Sequence, residues 1–184
     1  MRGINIRHGT RCMSSNPWYK DGLSFTCTKC GNCCSGRAGS VRFADEELTK
    51  MADKMKVSVS EFLTKYTRRQ GRGSKSFYQL KELRKNQLDG FDCVFLTRQG
   101  KQTRCQLYEA RPLQCRTWPF WPENTTSKTS WKETSQVCPG VNKGFKHSPD
   151  EIRKQLQATI NWRQSLTTSS PSRLLKPPSK PNSA

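Results

Sequence analysis

Four cysteines lie within eight consecutive residues, 27 to 34, and form a CxxCxxCC run, with four more following singly. The eight are Cys27, Cys30, Cys33, Cys34, Cys93, Cys105, Cys115 and Cys138. Thiolates are soft ligands that suit zinc, copper(I) and iron–sulfur clusters. A CxxC spacing can turn two sulfurs onto one metal, and Gly31 helps the backbone to turn. The pattern therefore predicts metal binding by these eight cysteines.

A disulfide framework is the alternative, because dense cysteines in a short secreted protein usually pair. The first twenty residues lack the apolar core of a signal peptide, and no stretch reaches the length of a membrane helix. Adjacent Cys33 and Cys34 are also awkward to pair, since neighbouring side chains in an extended chain point to opposite faces. We therefore expect metal ligands in a protein that is not secreted.

Composition limits the size of the hydrophobic core. The chain has 184 residues, of which 32% are hydrophobic, and its mean hydropathy is −0.88. One modest domain is expected, in which metal–thiolate bonds compensate for a small core. The chain has two histidines, His8 and His147, and a surface position is the simpler reading of each. We therefore expect all-sulfur coordination.

Hydrophobic periodicity predicts three helices and a few short strands. Residues 45–56 place apolar side chains on one face, and capping-box patterns at Ser58–Glu61 and Ser148–Glu151 open two further helices. Strands are expected over 77–83 and 93–96, with turns at Asp89–Gly90 and at Gln99–Gly100, before a segment at 103–108. The predicted fold class is α+β: a small metal-stapled cysteine-cluster domain with short helices and few short strands.

The two ends of the chain differ in composition from its middle. Residues 1–20 are basic and free of acids, as in mitochondrial or plastid presequences, although a plain basic start is an alternative. Cleavage near Arg11-Cys12-Met13 would remove the ninth cysteine. Residues 165–184 are rich in proline, serine and lysine, which predicts a disordered tail. The cysteine-cluster domain is expected over residues 21–164, in an organelle or otherwise in the cytoplasm.

The chain is strongly basic, with 33 Lys and Arg against 14 Asp and Glu and a net charge of +19. Basic residues concentrate between Lys65 and Lys85, around a glycine-containing stretch at 71–74. Such a surface attracts RNA, DNA or an anionic membrane. A solvated basic loop explains the same residues equally well, so RNA or a ribonucleoprotein is a candidate partner beside the metal ion.

The cysteines and their neighbours resemble a known family. Cys27-x2-Cys30-Gly31-x-Cys33-Cys34 is followed by Cys105 before Arg111-Pro112, by Cys115 before Trp118-Pro119-Phe120, and by Cys138-Pro139-Gly140. This order is similar to that of the CxxCxxCC family of zinc- or iron-chelating domains, the YkgJ-like cysteine-cluster proteins. The resemblance spans about residues 25–145 and implies a metal-binding fold, while the family's biochemical role is largely undefined. Some larger relatives are associated with lysine methylation of flagellin, which we do not carry over.

The metal remains open at this point. Eight thiols allow two zinc sites, one site with spare thiols, or an iron–sulfur cluster, because the spacing of Cys27, Cys30 and Cys33 imitates bacterial ferredoxins. Zinc is preferred over iron, since it commonly supports small domains. Nearby, we expect Arg111 to donate to a carboxylate or carbonyl. Asp92 is expected to be an exposed turn acid, with a hydrogen bond to a metal ligand as the alternative. Trp118, Phe120 and Trp121 are expected to cover the metal region, with stacking on a ligand as the alternative.

Enzyme signatures are weak. The sequence has no GxSxG, HExxH, Walker A or GxGxxG motif, and no catalytic motif beyond the cysteine cluster. A non-enzymatic role is preferred: a structural or interaction module with a basic surface. The alternatives are a protein that handles metal or iron–sulfur clusters, and a redox protein that uses a cluster or a reactive Cys33–Cys34 pair.

Overall fold

The computed structural model of the chain describes residues 17–73, 76–86, 90–100 and 102–168. Its α-helices are α1 (Asp45–Met55), α2 (Val59–Tyr66), α3 (Leu113–Arg116), α4 (Lys128–Val137) and α5 (Pro149–Thr168). Its strands are β1 (Leu23–Phe25), β2 (Ser35–Gly36), β3 (Thr67–Gln70), β4 (Phe77–Leu80), β5 (Glu82–Asn86), β6 (Gly90–Cys93), β7 (Leu96–Gln99), β8 (Gln102–Cys105) and β9 (Val141–His147). Short helices beside short antiparallel strands confirm the predicted α+β class.

The strands form small antiparallel sheets rather than one large one. β1 pairs with β9, β3 with β4, and β7 with β8, while β6 lies between β2 and β5. Sheets of two or three short strands bury little surface by themselves, so helices and loops must complete the packing. The described residues accordingly contain two hydrophobic cores.

The first core lies between β1, β9, α4 and α5. Its buried residues are Tyr19, Leu23, Phe120, Trp131, Cys138, Val141, Ile152 and Leu156. Trp18 donates its indole N–H to the carbonyl of Thr125 at 2.8 Å. Residues 17–20 therefore belong to the folded domain, although the sequence placed them in the leader. The rest of that leader, residues 1–16, is not among the described residues.

The second core forms where α1 and α2 pack against the central strands and loops. Its buried residues are Phe43, Leu48, Met51, Ala52, Phe62, Leu80, Phe95 and Leu107. The predicted apolar face of α1 is confirmed, because Leu48, Met51 and Ala52 are all buried there. This core borders the cavity into which the cysteines project.

The strand predicted over 77–83 is wrong as a single element. The chain changes partner at Lys81: β4 before it pairs with β3, and β5 after it pairs with β6. The ammonium group of Lys81 donates to the carbonyls of Thr64 and Lys65 at 2.9 Å, at the end of α2. Satisfying these helix-terminal carbonyls holds the break in place.

The strand predicted over 93–96 is also wrong. Cys93 ends β6, Leu96 begins β7, and the residues between them form a turn. This reversal places Phe95 in the second core with 0% exposure. The turn at Gln99–Gly100 is confirmed, whereas Asp89 of the other predicted turn lies in a gap between the described ranges.

The predicted starts of the later helices are confirmed. Ser58 Oγ accepts the N–H of Glu61 at 3.1 Å, and Ser148 and Glu151 cap one another. α5 continues through Thr168, four residues into the predicted tail, while residues 169–184 are not described. No helix in the described part of the chain is long and apolar enough to span a membrane.

Candidate metal centre

The CxxCxxCC run follows β1 and turns back at Gly31. Gly31 has a φ of 79°, a left-handed conformation that glycine adopts without strain, and its carbonyl accepts the N–H of Cys34 at 2.9 Å. A Cβ atom at Gly31 would lie 3.0 Å from the Thr103 hydroxyl oxygen of β8, which itself donates to the carbonyl of Lys29. The run therefore packs closely against the β7–β8 hairpin.

Three of the four single cysteines reach the run from other segments. Cys93 ends β6, and β6 pairs with β2, which directly follows Cys34. Cys105 ends β8, and Cys115 lies in α3. Strand pairing and helix packing thus bring together thiols that are up to 88 residues apart in the sequence, from Cys27 to Cys115.

A carboxylate on α1 positions the segment that carries Cys115. Glu47 Oε1 accepts a hydrogen bond from the backbone N–H of Leu113, the first residue of α3. It also accepts one from Arg116 Nη2 at 3.3 Å. Its other oxygen accepts the N–H of Ala44 at 2.9 Å. The sequence reasoning missed Glu47, because nothing in its local spacing indicates a partner 66 residues away.

Six cysteines line one cavity of about 380 Å³: Cys27, Cys33, Cys34, Cys93, Cys105 and Cys115. Its apolar wall, formed by Leu80, Phe95, Leu96, Leu107 and Pro112, includes members of the second core. Its basic residues are Lys29, Arg104 and Arg111. The structure therefore groups three quarters of the predicted ligands around a single space.

Cys30 and Cys138 do not line this cavity. Cys138 is 7% exposed and belongs to the first core, and Cys30 lies on the partly exposed part of the run. The Asn32 side-chain amide donates to the carbonyl of Val137 at 3.0 Å, so the two cysteines flank one contact between the run and α4. Their assignment as ligands stays a prediction.

Of the described residues, the one histidine, His147, does not line the cavity either. His147 lies beside the first core, with its Nε2 atom 3.1 Å from the carbonyl oxygen of Phe25 and its ring against that of Phe120. It is therefore partly buried rather than a surface residue. His8 lies before the first described residue.

The thiols of the cavity influence one another's ionisation. A hydrogen bond with Cys34 lowers the pKa of Cys33 to about 7, with the charge of Arg111 assisting and burial opposing. The same contact, with burial, strongly raises the pKa of Cys34. Burial raises the pKa of Cys93 to about 11, and burial with the charges of Cys93 and Cys33 raises that of Cys115. A cation in the cavity would relieve this repulsion and favour the thiolates.

The donor set fits zinc or iron. The sulfurs of Cys33 and Cys34 lie 3.8 Å apart. This is about the separation of two ligands on a tetrahedral zinc ion with bonds of ~2.3 Å. Among the described residues, however, no three Cys, His, Asp or Glu side chains are close enough to hold one ion. The remaining sulfurs must therefore move inward when a metal binds.

Arg111 lies over the ring of Tyr108 at the edge of the cavity. Its guanidinium carbon is 4.0 Å from the ring centroid, and its Nε atom donates to the Tyr108 carbonyl at 2.8 Å. The predicted donation to a backbone carbonyl is confirmed. The Lys29 ammonium lies 5.5 Å from the same ring centroid, so two cations flank one tyrosine beside the thiols.

Two other predictions about neighbouring residues are wrong. Asp92 lies in β6 rather than in a turn, and its side chain is 17% exposed and bound by Arg98 at 2.9 Å and Lys85 at 3.4 Å. None of Trp118, Phe120 and Trp121 lines the cysteine cavity. Phe120 lies in the first core because β1 and α4 supply the apolar surface that covers it.

Much of the basic charge between residues 65 and 85 is engaged locally. Arg68 lies 3.7 Å from Glu82, Arg69 donates to Ser76 Oγ at 2.7 Å, and Lys81 caps α2. β3 and β4 pair antiparallel on either side of the glycine-containing stretch, of which residues 71–73 are described. Part of this charge therefore stabilises the fold.

The whole arrangement was compared with known proteins. A family model described as a putative zinc- or iron-chelating domain, named CxxCxxCC, matches residues 26–139. The chain belongs to this family. An uncharacterized protein of Methanocaldococcus jannaschii is 31% identical over 152 residues, which cover 78% of this chain and 72% of that relative. No solved structure matches. Family membership and the cysteine cavity both support metal binding and leave the choice between zinc and iron open.

Proposed function

We propose that this protein binds zinc, rather than iron, through the cysteines of the cavity, and that the metal stabilises the second core. The observation that supports this most directly is the gathering of six thiols from four chain segments around one space. A bound zinc ion supplies several strong bonds between such segments. The chain's own residues orient the thiols: Gly31 turns the run, strand pairing places Cys93, and Glu47 fixes α3.

Zinc suits this environment better than a redox metal. The cavity lining combines sulfur donors with aliphatic and aromatic side chains that belong to a core, as expected for a site that ties a fold together. Zinc has no redox chemistry and imposes no strong geometric preference beyond tetrahedral coordination, so it tolerates ligands from irregular segments.

The first experiment is metal analysis and visible spectroscopy on one anaerobically purified sample of the full chain. Zinc without a visible band is the expected result. Iron with acid-labile sulfide and a broad band near ~400 nm would reject the choice of zinc and move the cluster-containing alternative forward. A chain that purifies folded and free of metal, and takes up neither ion, would contradict the proposal itself.

A second candidate function is the handling of metal or of iron–sulfur clusters. The observation that favours it is the exposure of Cys33, whose sulfur lies 3.8 Å from that of Cys34. An exposed ligand such as Cys33 can be reached by an acceptor protein, whereas a fully buried ligand cannot. Rapid metal transfer to a chelating acceptor, slowed by Cys33→Ser, is the expected result for this function; transfer at the same slow rate in both chains argues against it.

RNA association through residues 65–85 is a further proposal, supported by exposed Arg72 and Arg84 in that region. Neutralising both with Gln is expected to weaken binding to mixed RNA and to reduce its dependence on salt. Lys128→Gln with Lys132→Gln, an equal loss of charge at two exposed residues of α4, is the matched control. Equal weakening by both pairs would indicate net charge alone and contradict a dedicated surface.

We also propose an organelle, with mitochondria preferred, as the location of the protein. The basic, acid-free composition of the first residues supports this. Because Trp18 and Tyr19 pack in the first core, the address is confined to residues 1–16. A fluorescent protein carrying residues 1–16 is expected to enter mitochondria; a diffuse cytoplasmic signal would reject this location.

A further inference from the structure

The number of thiols around the cavity exceeds what one metal ion can use. A zinc ion in a structural site takes four ligands, and six cysteines line the same space. The cavity volume of about 380 Å³ is also many times that needed for one small occupant. A single water molecule, for comparison, needs ~10–15 Å³ by this kind of measure. A single ion would leave two cysteines and much of the cavity without a role.

The ligand count of a larger centre matches the number of thiols. Within the described ranges no three donors lie close enough to hold one ion, so the sulfurs must move inward around a single ion and around a larger centre alike. Two tetrahedral ions need eight metal–sulfur bonds in total, and six thiolates supply eight when two of them bridge both ions. Zn₂Cys₆ modules have this ligand count.

The charges beside the cavity match such a centre. Two divalent ions with six thiolates carry a net charge of about −2, which is costly to leave uncompensated next to apolar side chains. Lys29 and Arg111 line the cavity and flank the Tyr108 ring, with Arg104 also in the lining. These residues would supply the opposite charge from inside the same wall.

Two separate four-cysteine sites fit the structure less well. They would need Cys30 and Cys138 as ligands, and neither lines the cavity. Cys138 is buried in the first core, among aromatic and aliphatic side chains. We propose that the cavity holds one binuclear centre, in which two divalent metal ions share six cysteine thiolates, balanced by Lys29 and Arg111. This inference rests on the proposed metal binding.

The test counts metal per chain in the full-length protein and in serine variants. Two zinc ions per chain are expected in the wild type, in Cys30→Ser and in Cys138→Ser. Cys105→Ser and Cys115→Ser are expected to fall to one ion or none. Cobalt in place of zinc provides a second readout: thiolate-bridged ions couple magnetically, so the paramagnetic signal per ion should fall as the second one enters.

The possible failures can be told apart. One ion per chain in the wild type overturns the binuclear centre and leaves the proposed function intact, whereas no metal at all contradicts both. Two ions that drop to one in Cys30→Ser or Cys138→Ser indicate separate sites and overturn the inference. Iron bound with inorganic sulfide overturns it as well, since sulfide then bridges the metals in place of thiolates.

Because a cavity variant can lose its fold, a measurement on the wild type is also needed. Native mass spectrometry reports the number of ions without any substitution. Alkylation of the metal-loaded chain then compares two cysteines of the same run: Cys30 is expected to react, and exposed Cys33 to be protected until a chelator removes the metal. Reaction of Cys33 in the loaded chain would overturn the assignment.

Discussion

Glu47 is an example of a residue that organises the metal region without lining the cavity. Its side chain is 13% exposed, and its two oxygens accept backbone N–H groups from α1's own start and from α3. Both N–H groups lie at helix starts, which have no partners within their own helices. The carboxylate therefore serves two helices at once and fixes the segment that carries Cys115.

Glu47→Ala is expected to destabilise the protein by about 2–3 kcal/mol, because it leaves partly buried N–H groups unpaired. Urea unfolding of the metal-loaded chain measures this loss. Glu46→Ala changes the exposed neighbour on the same helix and is the matched control, expected to stay within about 0.5 kcal/mol of the wild type. Equal effects of the two variants would contradict the role of Glu47.

Gly90 permits a close approach between β6, which it begins, and the neighbouring strand β2. It has a φ of 80°, and a Cβ atom there would lie 2.2 Å from the carbonyl oxygen of Gly36, whose strand β2 directly follows Cys34. Gly100 has a φ of 58° as well, but a Cβ atom there would meet nothing within 4 Å. Comparing Gly90 with Gly100 therefore separates the cost of a left-handed backbone from the cost of a steric clash.

Gly100→Ala is expected to cost about 1 kcal/mol, for the left-handed backbone alone. Gly90→Ala adds a clash between backbones and is expected to cost clearly more, about 3 kcal/mol or above, since overpacking of a close contact is strongly destabilising. Thermal unfolding with metal quantification checks both. Retention of metal and stability by Gly90→Ala would show that β2 and β6 can move apart without consequence.

Among the elements, the long helix α5 depends on a turn that precedes α4. Arg163 of α5 donates to both carboxylate oxygens of Glu123 at 2.8 and 3.0 Å, and its guanidinium lies 5.7 Å from the Trp121 ring centroid. Thr159 also donates to Thr117 at 3.0 Å. These contacts connect the helix to the segment that follows Cys115.

The Glu123–Arg163 pair is expected to make stability depend on pH. Burial acts to raise the pKa of Glu123, but the hydrogen bond and charge of Arg163 outweigh it and hold this pKa below its usual range. The stabilisation is therefore present above the unfolded pKa of ~4.3 and is lost as the pH falls through the lower folded value. Because the pair is half-exposed, up to about 1 kcal/mol is expected.

Comparing acid unfolding of the wild type with Glu123→Gln checks this expectation. The stability of Glu123→Gln should lack the part of the pH dependence that comes from the Glu123–Arg163 pair, while the rest of the acid transition stays unchanged. Asp150→Asn, at an exposed carboxylate in the first turn of α5, is a control for a general loss of negative charge. A difference between wild type and Glu123→Gln that does not shrink as pH falls would argue against the pair.

At the scale of the whole molecule, the two cores differ in their relation to the cysteines. Leu80, Phe95 and Leu107 belong to the second core and also line the cavity. Cys138 is the one cysteine among the buried residues of the first core, and none of those residues lines the cavity. Metal binding should therefore stabilise the two halves of the domain unequally.

Removal of metal by a chelator is expected to speed hydrogen exchange in β5–β8 and α3 by at least tenfold, while α4 and α5 change little. An energy difference of about 1.4 kcal/mol corresponds to that factor. Exchange followed by mass spectrometry reads both regions in one sample, so α5 serves as the internal control. Uniform loss of protection across the chain would mean that the two cores unfold together.

Several features could be predicted because they depend on neighbouring residues. The apolar face of α1 follows from side chains three and four residues apart, and the start of α5 follows from the Ser148–Glu151 pattern. The strand errors have the opposite origin. Phe95 lies in a turn that buries its ring in the second core, and Lys81 interrupts a strand where its ammonium group binds a terminal carbonyl of α2. Both interactions involve parts of the chain that are distant in sequence.

By itself, the sequence determined the α+β class and the resemblance to a metal-chelating family, because ligand chemistry and helix periodicity are local properties of residue type and spacing. Only the tertiary structure decided which thiols share a space. It gathered six of the eight and left Cys30 and Cys138 outside, because strand pairing and the packing of α3 determine which distant cysteines meet. The spacing of the cysteines along the chain does not show which of them line the cavity, since this depends on which core each chain segment packs against.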